Sequence, residues 1–154
     1  MQEFTVVTRH SCEFAEITAE INARVPKTLR NGLCHIFCPH TTAGLTVNEN
    51  ADPDVRHDLL AKLAALIPAR EEFYQHVEGN SAAHLKAMLT GFSLTVPVRN
   101  GALHLGTWQG IYLCEYDGPR TRRIQLTFLT EQCPGRPHGH CGRPYAPPCG
   151  SGSG

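Results

Sequence analysis

Apolar and polar residues alternate near both ends of the chain, whereas apolar positions recur at helical spacing through its middle. Phe4 and Val6 open an alternating run that reaches Arg9, and residues 14–17 can return as a second strand. After Thr18, a candidate cap, Ile21, Val25 and Leu29 repeat every four residues and predict a helix. Pro26 lacks a helical donor and crowds the preceding turn, so that helix should break or kink there. Asn31-Gly32 stops it, residues 33–38 read as a buried strand, and residues 43–47 as the next, ending in Asn48-Glu49-Asn50. Asp52 then stands as N-cap, Pro53 as first helical residue and Asp54 at the positive end of the dipole. Val55, Leu59, Leu60, Leu63, Ala64 and Ile67 make the apolar stripe of this helix, which ends near Pro68. A polar stretch precedes a shorter helix over 82–89. Strands follow over 92–98, 103–105, 111–114 and 124–129, separated by Asn100-Gly101 and Asp117-Gly118-Pro119. Turns rather than crossover helices join these late strands, so the pattern is α+β with antiparallel-rich sheet.

At 154 residues, with 41% hydrophobic and 18% charged, the chain supports one ordinary core and not two. Residues 1–130 are expected to form one domain. Residues 131–154, rich in Gly, Pro, Cys and His and without an apolar period, read as a flexible tail. No apolar run approaches the roughly 20 residues of a membrane span, and no export signal is visible, so a soluble cytoplasmic protein without a membrane partner is expected. Fourteen basic residues balance fourteen acidic ones, which argues against a nucleic-acid surface but leaves room for a local basic pocket. Seven Cys, an odd count in a chain long enough to fold without staples, read as free thiols. Cys34 and Cys38 share a strand face with Cα atoms on the order of 13 Å apart, too far for a disulfide.

Polar chemistry gathers first at His40-Thr41-Thr42 and continues through Asn48, Glu49, Asn50, Asp52 and Asp54. An imidazole, hydroxyls, amides and carboxylates near strand ends can share one rim, where they would hold a metal or phosphate and orient water. The plainer reading makes the same groups turn and cap partners. If a loop joins His76 and His84 to His40, three imidazoles could coordinate Zn²⁺ or another borderline metal. His57 belongs to a partly exposed helix face. Trp108, framed by Gly106 and Gly110, can cover an apolar part of a ligand or pack as core. Glu115 can act as base or ligand, and Arg120, Arg122 and Arg123 as phosphate contacts; mutual Glu–Arg pairing is the competing reading. The phosphate-cradling, dinucleotide and zinc-protease motifs are absent. Cys133, His138, His140 and Cys141 in the tail match no standard zinc module and read as adventitious metal affinity.

Two longer segments carry a resemblance: His40-Thr-Thr-Ala-Gly-Leu-Thr-Val-Asn-Glu-Asn-Ala-Asp-Pro-Asp54 and Leu105-Gly-Thr-Trp-Gln-Gly-Ile-Tyr-Leu-Cys-Glu115. With residues 83–87, Gly91, residues 93–97, Asp117-Gly-Pro-Arg120 and Arg123, they resemble the YjbQ-like (UPF0047) family, also called the secondary thiamine-phosphate synthase family. The resemblance implies a compact two-sheet α+β domain assembled as a cyclic homotrimer. It implies a pocket containing His40, Thr41, Thr42, Asn48, Asp52, His76 and His84, with Trp108 and Glu115 nearby. For such a pocket the expected roles are His40, His76 and His84 as ligands of a divalent metal, Zn²⁺ favoured, and Asp52 or Glu115 as the proton-handling group. Thr41, Thr42, Asn48, Trp108, Arg120 and Arg123 would contact a small phosphorylated metabolite. The implied activity is weak joining of a pyrimidine diphosphate to a thiazole phosphate. A metal-dependent hydrolase and a non-enzymatic metabolite-binding trimer are the alternatives.

Overall fold

The computed structural model describes residues 1–131. Its elements run β1 (Gln2–Val7), β2 (Glu13–Glu16), α1 (Thr18–Asn22), β3 (Gly32–Phe37), β4 (Ala43–Glu49), α2 (Pro53–Leu66) and α3 (Ser81–Thr90), then β5 (Ser93–Arg99), β6 (Ala102–Leu103), β7 (Gln109–Glu115) and β8 (Thr121–Thr130). Every strand pairing is antiparallel. Five strands form one sheet in the order β1-β8-β3-β5-β6, and three form a second in the order β2-β7-β4. The fold is thus α+β with two antiparallel sheets and short helices.

Strand alternation explains how the sheets stack. Cys34 and Ile36, Val96 and Val98, and Ile124 and Leu126 point from the large sheet into a core that Leu45, Ile111 and Leu113 complete from the small one. On the opposite face of the small sheet, Phe14, Tyr112, Cys114 and Tyr116 pack with Ala83 and Ala87 of α3 and, less deeply, with Leu59, Leu60 and Leu63 of α2. The small sheet is therefore covered on both sides, and its central strand is buried continuously from Gly110 to Glu115. The outer face of the large sheet remains open, with Leu33, Phe37 and Leu129 exposed.

Local chemistry matches several expected boundaries. Asp52 caps α2 by accepting the Asp54 N–H at 2.9 Å, and Pro53 occupies the first helical turn. Asn100 and Gly101 both take positive φ, 53° and 81°, in the two-residue turn between β5 and β6. The predicted first helix is shorter than its spacing implied: α1 is five residues long and ends before Pro26. Thr18 does not cap it. Its hydroxyl accepts the Ile111 N–H instead, tying α1 to β7. Helix α2 also departs from expectation, because its apolar stripe is only half-covered and none of its residues is buried. The four described cysteines are free thiols. Burial raises the Cys34 and Cys38 thiols to about 11 and Cys114 to about 12, which keeps them protonated at neutral pH. No helix among the described residues is long and apolar enough to cross a membrane. Cys133, His138, His140 and Cys141, with the expected tail, lie outside the described residues.

Candidate functional site

Strands β4 and β7 pair from Ala43↔Glu115 at one end to Glu49↔Gln109 at the other. Six residue steps separate these ends, about 20 Å at strand rise. The sequence-predicted site residues divide between the two rims so defined, which corrects the expectation that His40 and Asn48–Asp52 share one.

The near rim is built around Glu115, which is fully buried. Its Oε1 accepts from Arg122 Nη2 at 2.6 Å and from the N–H groups of Tyr116 and Asp117 at 2.9 and 2.8 Å. Its Oε2 accepts from Arg122 Nε at 2.7 Å and from the Thr8 hydroxyl at 3.0 Å. Burial pushes this carboxyl up, but Arg122, the Asp117 N–H and Thr8 outweigh it and hold the group below the usual carboxylate range. A carboxylate with five donors and a depressed pKa is a poor proton acceptor. The structure shows the Glu–Arg pairing, with both carboxylate oxygens of Glu115 engaged. Arg122 Nη2 also donates to Thr42 Oγ1 at 2.9 Å, and the Tyr116 N–H donates to the Thr42 carbonyl at 3.2 Å. The His40-Thr41-Thr42 segment is thereby fastened to the end of β7. Gly118 lets the segment after β1 approach the same rim, since a Cβ there would sit 2.2 Å from the His10 carbonyl oxygen.

His40 faces β8 rather than a cavity. Its Nε2 accepts the Arg123 N–H at 2.8 Å, so the ring proton resides on Nδ1. Burial, then the charges of Arg122 and Arg123, hold this imidazole below its ordinary value and favour the neutral ring. The Arg123 side chain is exposed, with Nη1 4.0 Å from Glu3 Oε1. Thr41 is exposed and Thr42 buried.

Asp117 extends the rim toward α3. Its Oδ2 accepts from Asn80 Nδ2 at 3.2 Å and from Arg120 Nη2 at 2.8 Å. Burial opposes its charge, yet Arg120 and Asn80 outweigh that cost and lower its pKa. Asn80 precedes α3, and His84, in the first turn, brings its ring to 5.5 Å from that of His76 in an edge-to-face arrangement. His76 also stands 4.0 Å from Glu78.

At the far rim, Asn48 Oδ1 accepts the Glu49 N–H at 2.8 Å, Asp52 caps α2, and the Trp108 carbonyl accepts the Asn50 N–H at 3.0 Å. The Trp108 ring is 65% exposed, so it is not a core residue. Asp52 is too distant to serve the near rim within one chain.

Within one chain the three imidazoles of the expected metal shell are not gathered together. The Nε2 lone pair of His40 is engaged by Arg123, and among the described residues no group of three or more His, Cys, Asp or Glu is gathered so as to hold an ion. The facing rings of His76 and His84 do fit a pair of ligands.

Four contributors to the near rim escaped the sequence reading of site residues: Thr8, Asn80, Asp117 and Lys86. Only Lys86 left a clear signal. It occupies the buried face of α3 with Ala82, Ala83 and Ala87, where a lysine interrupts an otherwise apolar helical stripe.

Comparison with known proteins places this geometry in a lineage. The family model described as UPF0047 protein YjbQ-like matches residues 2–131. YugU of Bacillus subtilis is 49% identical over 130 residues, spanning 84% of this chain and 98% of YugU. The UPF0047 protein of Archaeoglobus fulgidus is 40% identical over 128 residues, spanning 82% of this chain and 99% of its own. A crystal structure of a YjbQ/UPF0047 protein from Clostridium acetobutylicum superposes with a TM-score of 0.80 at 45% identity, covering 84% of this chain and all (100%) of that one. The conserved hypothetical protein TT1486 of Thermus thermophilus gives 0.79 at 43% identity with the same coverage, 84% and 100%. A match over all but the first of the described residues, in sequence and in backbone alike, makes the chain a member of the YjbQ-like UPF0047 family.

Proposed function

We propose that the near rim binds and transforms a small phosphorylated metabolite. The observation that supports this most directly is the disposition of charge. Glu115 and Asp117 are each neutralised by an arginine, and Arg120, half exposed in its pair with Asp117, engages only Nε and Nη2 and leaves Nη1 for a ligand. Such a rim can receive an anionic group and offers imidazoles for proton transfer. The reaction class implied by the family resemblance is the joining of a pyrimidine diphosphate to a thiazole phosphate. A bond forms from the thiazole nitrogen to the pyrimidine methylene carbon as the carbon–oxygen bond to diphosphate breaks and diphosphate leaves. Arg120 would take up charge on the departing group.

The metal component of the proposal is a divalent ion, Zn²⁺ first, held by His76 and His84 with ligands from outside this pair. When bound, it would supply further charge neutralisation for phosphate oxygens. The oligomeric component is a cyclic homotrimer. Asn48, Asp52 and Trp108 can join the near rim only from a neighbouring copy, through a head-to-tail contact that closes into a ring.

The test incubates full-length protein of defined metal content with both substrates and seeks the joined product by mass. Joined product that falls away in H84A supports the reading. Phosphate or other product from either substrate alone would instead establish the hydrolase alternative. Saturable binding without chemical change would leave a metabolite-binding protein. Metal analysis should show loss of the ion in H76A and H84A but retention in H40A, because His40 bonds to the backbone of β8.

A further inference from the structure

Lys86 is 7% exposed, yet no carboxylate among the described residues lies within salt-bridge distance of it. Residues 132–154 contain no Asp or Glu that could supply one. The nearby acids are already occupied: Glu115 by Arg122, Asp117 by Arg120 and Asn80. Lysine is almost never buried to this extent without a counter-charge; here the stem is covered while the ammonium reaches the surface with no carboxylate beside it. The direction of the side chain is also informative. Helical side chains lean toward the N-terminus, which carries Lys86 toward the first turn of α3. The positive charge of Lys86 is also felt at Cys12. Burial raises that thiol, Lys86 opposes the rise, and Glu115 and Asp117 reinforce it. The Cys12 Sγ donates to the Tyr116 carbonyl at 3.8 Å, between those two acids.

The first turn of α3 is itself open to an anion. Its N-cap, Asn80, makes no side-chain capping bond, because the amide is directed to Asp117 and Glu78. The Ala83 N–H is bonded to the Asn80 carbonyl at 2.9 Å, which leaves the Ser81 and Ala82 N–H groups and the positive end of the dipole on the side toward which Lys86 leans.

We propose that Lys86 and the N-terminal turn of α3 form the subsite for a phosphate group of the ligand, next to His84 and Arg120. This deepens the reading of the near rim and rests on it for the identity of the ligand, but it can be tested without turnover or metal. The occupant is a phosphomonoester or diphosphate. Helix N–H groups together with one lysine suit tetrahedral oxyanions, and the guanidinium of Arg120 stands within the same cluster.

Inorganic pyrophosphate is the probe. Calorimetric titration of full-length, metal-free protein should show saturable binding. K86M and K86Q should weaken it roughly tenfold to a hundredfold, as expected for a lost charge-assisted contact. K86R should retain part of it, and K62M, on the exposed face of α2, should bind as wild type. Without pyrophosphate, K86M should unfold at an equal or higher temperature, since the substitution keeps the covered apolar stem and removes a charge that no carboxylate balances. Equal affinity in wild type and both neutral variants overturns the subsite, as does the absence of saturable binding to wild type. A lower unfolding temperature or loss of assembly in both ligand-free variants also overturns it, by assigning Lys86 a structural counter-charge. Lys86-dependent binding without joined product leaves the subsite standing and removes the synthase reading. Joined product made with unchanged kcat/KM by K86M does the reverse.

Discussion

Replacing Arg122 with Met would strand a buried carboxylate among donors that no longer balance its charge. Glu115 would keep the Thr8 hydroxyl and two N–H groups but lose both guanidinium bonds, and Thr42 would lose its donor. Breaking a buried pair from one side costs about 3–5 kcal/mol, so R122M should lower the urea midpoint steeply. Removing both charges as R122M/E115L would not restore stability, because the Thr8 hydroxyl and the Tyr116 and Asp117 N–H groups would face an apolar side chain. A double-mutant cycle in urea checks this. His40 predicts a second residue-level effect. Its folded pKa is lowered, so the unfolded chain binds the proton more readily and stability rises with pH across that interval. The loss should begin as pH falls through about 6.5, the unfolded value, and be complete below the folded one. Protonation also removes the Nε2 acceptor from the Arg123 N–H. Urea midpoints measured between neutrality and mild acid should therefore fall in wild type and flatten in H40Q. Glu115 and Asp117 act lower: their depressed pKa values contribute stability above the ordinary carboxylate range that is lost as pH falls through the folded values.

Among the elements, β4 is sensitive to small changes in bulk. A Cβ on Gly44 would lie 2.1 Å from Thr90 Oγ1 and 2.7 Å from the Gly91 carbonyl oxygen, so G44A must push β4 from the end of α3. Overpacking of this kind costs about 1–3 kcal/mol and should appear as a lower thermal midpoint. Removing the α2 cap with D52A should cost about 1 kcal/mol, measurable by the same scan. These elements also show what the sequence could and could not convey. The Asp52-Pro53 start of α2 and the Asn100-Gly101 turn were legible because their chemistry is local. The extent of α1 was not: Ile21, Val25 and Leu29 keep helical spacing, but Pro26 ends the helix, and Ile21 and Leu29 enter the core from separate segments. The site was legible as a set of residues and not as an arrangement. His40 and Asn48 look adjacent in sequence, yet β4 extends between them. The antiparallel register then sends Glu115 with Ala43 and Trp108 with Asn50. Glu115 itself could not be told from a free acid until Thr8, 107 residues away, and Arg122 were seen to meet it.

At the scale of the molecule, the described residues cover the large sheet on one face only, and Leu33, Phe37 and Leu129 are exposed on the other. Association through faces of this kind is the physical expectation for a small two-sheet domain. Sedimentation velocity over a range of concentrations should give a single species of three chains; a monomer throughout would remove the trimer from the proposal. The strand order has a different consequence, for synthesis. Strand β8 lies between β1 and β3 and bonds to both, so the last strand of the described chain occupies an interior place in the sheet. A ribosome releases β1 and β3 long before the segment that must separate them. Until then β1 has no partner in the sheet, and β3, although it can pair with β5, keeps its other edge open. The two halves of the large sheet therefore close together, late, in one cooperative step dominated by distant contacts. A nascent chain arrested before residue 121 would be held open at its centre, and it should be a better client for chaperones than one arrested after residue 131.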